Sequence, residues 1–261
     1  MFSLNGKVAL VTGAGRGIGQ GIAEALAMQG AHVVCAARTQ SQLEEVAQSI
    51  VNLGGQATAL QLDMNEMSSI DHALEVITDQ FGRLDILVNN AGINARQPID
   101  VVTEENFDRI VNVNLKSVYF LSQKAARLMA RGGGGKIINI GSLTTGYALS
   151  QVSVYTATKG AIGQLTKSQA IEFGQDNIQV NALCPGFVVT PLTEKIWDDP
   201  TMRQWGEQRI ALGRLAKPQD MAGTAAFLAS SAADYVTGQV IYVDGGFMAG
   251  DDWPIPAAAK S

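Results

Sequence analysis

The stretch VTGAGRGIGQGIAEAL, residues 11–26, is a glycine-rich turn between an apolar run and an amphipathic run. The apolar run, KVALVT (7–12), is typical of a buried strand, and the residues after the turn follow a helical period. Such a turn lets backbone N–H groups and the helix N-terminus approach a pyrophosphate. The strict G-x-G-x-x-G spacing is absent, because no glycine stands at the sixth position counted from Gly13, Gly15 or Gly17. The position of the turn, after the first strand and before a helix, therefore carries the prediction of a dinucleotide site.

The same alternation of apolar runs and amphipathic runs continues along the chain to about residue 245. Six further short apolar runs are rich in Val, Ile and Leu: AHVVCAA (31–37), ATALQLD (57–63), RLDILVN (83–89), KIINIGS (136–142), IQVNALC (178–184) and QVIYVDG (239–245). Strands that are buried on both faces of a parallel sheet have this composition. Helical stretches that end in glycine lie between them, for example 19–30 and 41–55. The pattern predicts an α/β fold, a single-domain Rossmann-type doubly wound parallel β-sheet flanked by helices, over residues 1–246.

Two segments depart from this rhythm. Residues 186–216 form a long insertion after a strand, which is typical of a substrate-binding loop or lid. The C-terminal tail, residues 247–261, is rich in Pro and Ala, and we expect it either to fray or to lie across a neighbouring subunit.

Composition excludes several functional classes. The chain of 261 residues has a net charge of −5 and no basic cluster, which argues against nucleic acid and membrane surfaces as partners. It has no apolar span of 18 residues and no signal peptide, so we expect a cytoplasmic protein whose two cysteines, Cys35 and Cys184, are reduced and buried. No Cys/His/Asp cluster has ligand spacing, so no metal site is expected. A G-x-S-x-G elbow is also absent, which argues against a hydrolase.

Two arginines indicate which dinucleotide binds. NAD sites usually carry Asp or Glu about 20 residues after the glycine turn, to bind the ribose 2′-hydroxyl. Here the second strand ends in Ala36-Ala37-Arg38-Thr39, without an acid, and Arg16 lies inside the turn. Two guanidinium groups at this place suit a 2′-phosphate. The sequence therefore predicts NADP(H) in preference to NAD(H), the alternative being that Arg16 and Arg38 are solvated surface charges.

Tyr155 and Lys159 are the candidates for proton transfer. A spacing of i, i+4 brings them onto one helix face if a helix starts near residue 153. A free Tyr titrates near pH ~10, and a nearby ammonium lowers that pKa. Ser142 ends an apolar run 13 residues earlier, at the edge of the sheet where ligands bind. The alternative is a Tyr and a Lys that simply share a helix surface.

Taken together, these pieces resemble the short-chain dehydrogenase/reductase family in its short, single-domain form, to about residue 246. The matching segments are TGAGRGIG (12–19), NNAG (89–92), PGFVVT (185–190) and YVTGQVIYVDGG (235–246). The resemblance implies a cofactor site formed by Gly13, Gly15, Arg16, Gly17, Ile18, Gly19, Arg38, Asp63, Asn90, Ala91, Gly92, Tyr155, Lys159, Pro185, Gly186, Val188 and Thr190.

The resemblance also implies a catalytic tetrad of Asn114, Ser142, Tyr155 and Lys159. In the family, the Tyr exchanges a proton with the substrate oxygen, and the Lys lowers the pKa of the Tyr and holds the nicotinamide ribose. The Ser orients the substrate oxygen, and the Asn supports a water that relays protons. Family members are usually tetramers or dimers, so we expect a homo-oligomer.

The expected function is an NADP(H)-dependent oxidoreductase that interconverts a secondary alcohol and a ketone. The loops 93–98, 143–153 and 187–213 should set specificity, and the hydroxyls, Tyr and Gln of the second favour a small polar substrate such as a sugar or polyol. The alternative is a 3-oxoacyl-[acyl-carrier-protein] reductase, which needs basic residues at the site entrance. Candidates for that role are Arg96, Lys195, Arg203 and Arg209. An alternative of another class is a catalytically idle dinucleotide-binding sensor, against which the intact tetrad argues.

Overall fold

A computed structural model describes residues 1–251, which form one seven-stranded parallel sheet with helices on both faces. The strand order is β3-β2-β1-β4-β5-β6-β7, and every neighbouring pair is parallel. The strands are β1 (Val8–Thr12), β2 (His32–Ala37), β3 (Gln56–Gln61), β4 (Ile86–Asn89), β5 (Gly135–Ile140), β6 (Ile178–Pro185) and β7 (Val240–Val243). The predicted doubly wound Rossmann-type sheet is confirmed.

Nine α-helices lie between or after these strands in the described part of the chain. They are α1 (Gly17–Met28), α2 (Gln40–Asn52), α3 (Met67–Phe81), α4 (Glu104–Val111), α5 (Ser117–Arg131), α6 (Ser153–Phe173), α7 (Glu194–Trp197), α8 (Pro200–Arg209) and α9 (Ala222–Ala229). Helices α1, α2 and α9 pack on one face of the sheet, and α3, α5 and α6 pack on the other. Both faces of the sheet are therefore buried, which explains why its strands are almost continuously apolar.

The direction of winding reverses between β1 and β4. Strand β1 pairs with β2 on one side and with β4 on the other, and the chain then continues outward through β5, β6 and β7. In open parallel sheets, ligands bind outside the carboxyl ends of the strands at this reversal. The glycine-rich turn follows β1 at that edge, so the fold places it where a dinucleotide binds.

Two local features differ from the simple strand and helix pattern. Strand β5 ends at Ile140, so Ser142 lies beyond it and caps a short 3-10 helix, Leu143–Thr145, rather than ending the strand. Between α4 and α5 the helix widens into a π-turn, Asn112–Lys116, which the sequence did not predict. Such turns are frequent at functional sites, and this one contains Asn114.

The predicted substrate loop, 186–216, carries the short helices α7 and α8. The tail begins with a 3-10 turn, Phe247–Ala249, whose Phe247 packs in an aromatic cluster, and residues 252–261 lie outside the described residues. Within residues 1–251, no helix has both the length and the apolarity needed to cross a bilayer. Cys35 and Cys184 are both buried free thiols, as expected.

Candidate active site

A cavity of about 1100 Å³ opens at the carboxyl edge of the sheet, beside the reversal between β1 and β4. It brings together nearly all the residues predicted from the sequence. Its lining includes Gly13, Gly15, Arg16, Gly17, Ile18, Arg38, Asp63, Asn90, Ala91, Gly92, Ser142, Tyr155, Lys159, Pro185, Gly186, Val188 and Thr190. Two predicted residues, Gly19 and Asn114, lie behind this wall rather than on it.

The glycine-rich turn has space only for glycine at several positions. Gly13 and Gly17 have φ values of +66° and +61°, which favour glycine. A Cβ atom on Gly13 would also lie 2.8 Å from Nδ2 of Asn90. A Cβ atom on Gly19 would overlap the carbonyl oxygen of Gly13, so Gly19 allows α1 to pack closely against the turn. The turn thus presents bare backbone at a helix N-terminus, which fits a pyrophosphate.

Thr12 ties the turn to the end of β4. Its Oγ1 accepts hydrogen bonds from the backbone N–H groups of Asn90 and Ala91, both at 3.0 Å, and donates to the Val88 carbonyl at 3.2 Å. The Asn90 side chain returns a bond of 2.8 Å from Nδ2 to the Thr12 carbonyl. These bonds allow Asn90 to shape the turn, a role that the sequence analysis did not assign to it. The contact of Asn90 with the cofactor that the resemblance implies stays a prediction.

The adenosine end of the cavity is positively charged. Arg16 and Arg38 both line it, together with Thr39 and Gln42, and neither arginine forms an ion pair with a carboxylate of the described residues. The first turns of α1 and α2 contain no acidic residue. Helix N-termini and free guanidinium groups favour an anion, so these residues fit a 2′-phosphate.

Tyr155, Lys159 and Ser142 all line the cavity. Helix α6 begins at Ser153, as predicted, and places Nζ of Lys159 5.6 Å from the centre of the Tyr155 ring. The same Nζ donates a hydrogen bond of 2.6 Å to the Ile140 carbonyl. Ser142 lines the same cavity as Tyr155, and its Oγ accepts a bond of 3.1 Å from the Thr144 N–H. The hydroxyl of Ser142 is thus held beside the phenol.

Burial and neighbouring charge shift the pKa values of this group. Burial lowers the pKa of Lys159 to about 8, while the buried Cys184 thiol acts in the opposite direction. Burial raises the pKa of Tyr155, and the Ser142 hydrogen bond and the Arg96 guanidinium counteract this rise. The sequence placed the role of lowering the pKa of the Tyr on Lys159 alone. The structure adds Arg96 as a cation that acts on the phenol.

Asn114 connects the π-turn to the loop at 93–98. Its Oδ1 accepts a bond of 2.8 Å from the Ile93 N–H, and its Nδ2 donates to the Ile93 carbonyl at 2.9 Å and to the Thr158 Oγ1 at 3.3 Å. The side chain is fully buried. Asn114 therefore fixes the start of a loop that lines the cavity, and its predicted part in a proton relay through water stays a prediction.

The substrate end of the cavity combines an aromatic wall with polar side chains. The ring of Phe187 lies 5.1 Å from that of Trp197 and 5.7 Å from that of Trp205, measured between centroids. Arg96 and Gln151 come from the loops opposite. The sequence analysis named Arg96 only as a candidate for binding an acidic carrier and the Gln of loop 143–153 only as a polar feature, and it did not single out the three aromatic residues. Only the folded chain shows which residues of a loop face the cavity.

Comparison with known proteins agrees with this site. A family model described as "Enoyl-(Acyl carrier protein) reductase" matches residues 13–248. A 2-dehydro-3-deoxy-D-gluconate 5-dehydrogenase from Bacillus subtilis (strain 168) is 46% identical over 248 residues, which cover 95% of this chain and 96% of the relative. The chain belongs to the short-chain dehydrogenase/reductase family. It is an oxidoreductase that acts on CH–OH groups, and the alternative of an idle sensor is not supported.

Two further members of the family bear on its specificity. The crystal structure of a gluconate 5-dehydrogenase from Burkholderia cenocepacia J2315, in complex with NADP and tartrate, is 37% identical with a TM-score of 0.92. The match covers 95% of this chain and 98% of the chain in that crystal structure. A 3-oxoacyl-[acyl-carrier-protein] reductase from Thermotoga maritima is 37% identical over 245 residues, 94% of this chain and 99% of the relative. This short-chain dehydrogenase/reductase thus resembles both sugar-acid and acyl-thioester enzymes.

Proposed function

We propose that this short-chain dehydrogenase/reductase is an NADP(H)-dependent dehydrogenase of sugar acids, which interconverts a secondary hydroxyl and a ketone. The observation that carries the proposal is Arg96, a cation on the cavity wall whose charge reaches the Tyr155 phenol. Among the described residues it has no carboxylate partner. A substrate carboxylate supplies that partner, because guanidinium and carboxylate groups form strong paired hydrogen bonds.

The loop that carries Arg96 is held at both ends. Asn114 binds the backbone of Ile93 on one side, and the N–H of Gln97 donates a bond of 2.9 Å to the Gln151 carbonyl on the other. A cation on a fixed loop binds an anion at lower entropic cost than one on a mobile loop. The arrangement therefore suits a small acid whose reactive carbon must lie at a set distance from its carboxylate.

The proposed reaction uses the central residues as proton carriers and orienting groups. In the reductive direction, the Tyr155 hydroxyl donates its proton to the substrate carbonyl oxygen, and in the oxidative direction it takes that proton back. The Ser142 hydroxyl orients the substrate oxygen, and Lys159 holds the nicotinamide ribose. The nicotinamide, when bound, supplies or accepts the hydride. The oxidation balances because the alcohol carbon loses a hydride to the nicotinamide and its oxygen loses a proton to Tyr155.

NADP(H) is the cofactor that the charged end of the cavity favours. Arg16 and Arg38 lie there without acidic neighbours in the first turns of α1 and α2. The gluconate 5-dehydrogenase of Burkholderia cenocepacia binds NADP in its crystal structure, which supports the preference predicted from the sequence.

A 3-oxoacyl-[acyl-carrier-protein] reductase is the second candidate, and it is less favoured because two of the four candidate basic residues, Arg203 and Arg209, already have partners. Arg203 lies 3.6 Å from Glu207 and donates to the Trp197 carbonyl, and the guanidinium of Arg209 lies 5.1 Å from the Trp205 ring centre. Both guanidinium groups have partners within residues 186–216 and are therefore not free to bind an acidic carrier protein. A carrier protein requires a basic surface at the entrance.

Substitution of Arg96→Gln tests the proposal. Hydrogen bonds to charged groups contribute about 1.5–3 kcal/mol, so kcat/KM for 5-keto-D-gluconate should fall about 10- to 100-fold. For a neutral ketone such as fructose or acetoin it should change less than about threefold. Arg131→Gln, an exposed arginine at the end of α5, is the matched control and should change neither. Equal losses on acid and neutral substrates would contradict a role in binding carboxylate, and rapid turnover of a 3-oxoacyl thioester alone would favour the second candidate.

The same variant should shift the pH dependence of oxidation. Arg96 lowers the pKa of Tyr155 in the free enzyme, so its removal lets that pKa rise. Because oxidation requires the deprotonated phenol, the rise of kcat/KM with pH should move to higher pH in Arg96→Gln. Rates measured between pH 6 and 10 for wild type and variant check this, and an unchanged or lower midpoint would show that Arg96 does not act on Tyr155.

We also infer that the enzyme works in the cytoplasm as a homotetramer or dimer with a small-molecule substrate. Large apolar side chains are exposed on two neighbouring helices, including Phe107 on α4 and Tyr119 on α5. Light scattering of the purified chain decides between these assemblies and a monomer. The chain is further inferred to fold as one domain over residues 1–246.

A further inference from the structure

Gln151 has a left-handed backbone, with φ at +63°. Apart from glycines, only Gln151 and Asn177 have a positive φ within residues 1–251. Asn tolerates this conformation, and the Asn177 side chain is used locally, where its Nδ2 donates to the Gly133 carbonyl at 3.1 Å. Gln lacks that tolerance, and in the described part of the chain its side-chain amide at 151 has no hydrogen-bond partner. The strain at Gln151 therefore has no local explanation.

The strained residue connects two walls of the active site. Its carbonyl accepts the 2.9 Å hydrogen bond from the Gln97 N–H, which ties the loop of Arg96 to the loop that precedes α6. Its side chain is exposed and lines the same cavity as Arg96 and Tyr155. With this backbone conformation, the Gln151 carbonyl links the loop of Arg96 to the loop before α6, and the side-chain amide lies at the cavity wall without a hydrogen-bond partner among the described residues.

Glycine would form the same backbone link without strain, since the bond uses only the carbonyl of residue 151. The backbone link therefore does not account for a glutamine at position 151, and its side chain must have a role of its own. An amide offers one acceptor oxygen and two donor hydrogens, a set that matches adjacent hydroxyls of a polyol. Sites that hydrogen-bond a substrate hydroxyl discriminate strongly against compounds that lack it.

We propose that Gln151 is a specificity-determining residue whose amide binds hydroxyl groups of the sugar acid while Arg96 binds its carboxylate. The inference rests on the proposed function, because it assumes a substrate with both groups. The two side chains then divide recognition between them. Arg96 binds the carboxylate at one end of the substrate. Gln151 hydrogen-bonds to hydroxyl groups on the carbons between that carboxylate and the carbon that faces Tyr155.

The test measures binding of two probes to the enzyme saturated with NADP⁺, by calorimetry. D-gluconate carries a carboxylate and hydroxyls, and hexanoate carries a carboxylate alone. Gln151→Gly keeps the backbone link and removes the amide. We expect its Kd for gluconate to rise about tenfold, its Kd for hexanoate to change less than twofold, and its Tm to rise by about 1–4 °C as the backbone strain is relieved. Asn177→Gly, at the other left-handed position, is the matched control and should leave both Kd values unchanged.

The outcomes separate the two proposals. If wild type binds gluconate and Gln151→Gly binds it equally well, the role of Gln151 is overturned and the proposed function stands. If wild type binds gluconate no better than hexanoate, no hydroxyl is recognised and both proposals fail. Arg96→Gln should weaken both probes, which distinguishes loss of the carboxylate contact from loss of the hydroxyl contact.

Discussion

Tyr155→Phe is expected to lower kcat by about 10³-fold in both directions of the reaction. Positioned acid or base groups contribute about 10²- to 10⁴-fold, and this substitution removes the hydroxyl, the only ionisable group of the Tyr155 side chain. The phenyl ring keeps its contacts with the cavity and with the nearby Lys159 ammonium. We therefore expect KM and the Kd for NADPH to change little.

The measurements are steady-state rates with NADPH and 5-keto-D-gluconate, together with NADPH binding by fluorescence. Tyr235→Phe is the matched control, since Tyr235 is fully exposed and does not line the cavity. Its rates should stay within about threefold of wild type. Turnover by Tyr155→Phe within tenfold of wild type would show that another group transfers the proton.

Arg38→Ala is expected to lower kcat/KM for NADPH by about 10- to 100-fold and to leave kcat/KM for NADH within threefold. The reason is that only NADPH carries the 2′-phosphate, and loss of a charge-assisted contact costs about 1.5–3 kcal/mol. Arg16→Ala should have the same selective effect, because both arginines line the adenosine end of the cavity. The double variant should accept both cofactors with similar efficiency.

Kinetics with each cofactor at saturating ketone check this prediction. Arg131→Ala, at the end of α5 and away from the cavity, controls for the loss of a surface charge. Equal losses with NADPH and NADH would indicate a structural effect. If kcat/KM fell with neither cofactor, Arg16 and Arg38 would be solvated surface charges that do not bind the 2′-phosphate.

Under the proposed function, Arg96 links recognition of the substrate carboxylate to proton transfer by Tyr155. In the free enzyme its charge lowers the pKa of Tyr155 against the opposing effect of burial. A bound carboxylate neutralises that charge, so the phenol is expected to hold its proton more strongly when an acid substrate is present. The effect favours the protonated Tyr, which the reductive direction requires.

Many features of this protein follow from the sequence alone. Apolar runs of six or seven residues, separated by helical periods that end in glycine, indicate a parallel sheet because its strands are buried on both faces. The turn at Gly13 to Gly19 and the spacing of Tyr155 and Lys159 are local in the chain, so their geometry follows from one turn and one helix. The residues predicted to bind the cofactor, apart from Gly19, accordingly line one cavity, and their contacts with the cofactor stay a prediction.

The substrate end depended on the tertiary structure. Arg96, Gln151 and Trp205 lie more than fifty residues apart from one another, and nothing in their local sequence indicates which side chains of each loop face the cavity. The hydrogen bond between Gln97 and Gln151 joins two loops that no periodic pattern brings together. Regular elements repeat a local pattern that can be read along the chain, whereas loop positions depend on long-range contacts that exist only once the sheet has formed.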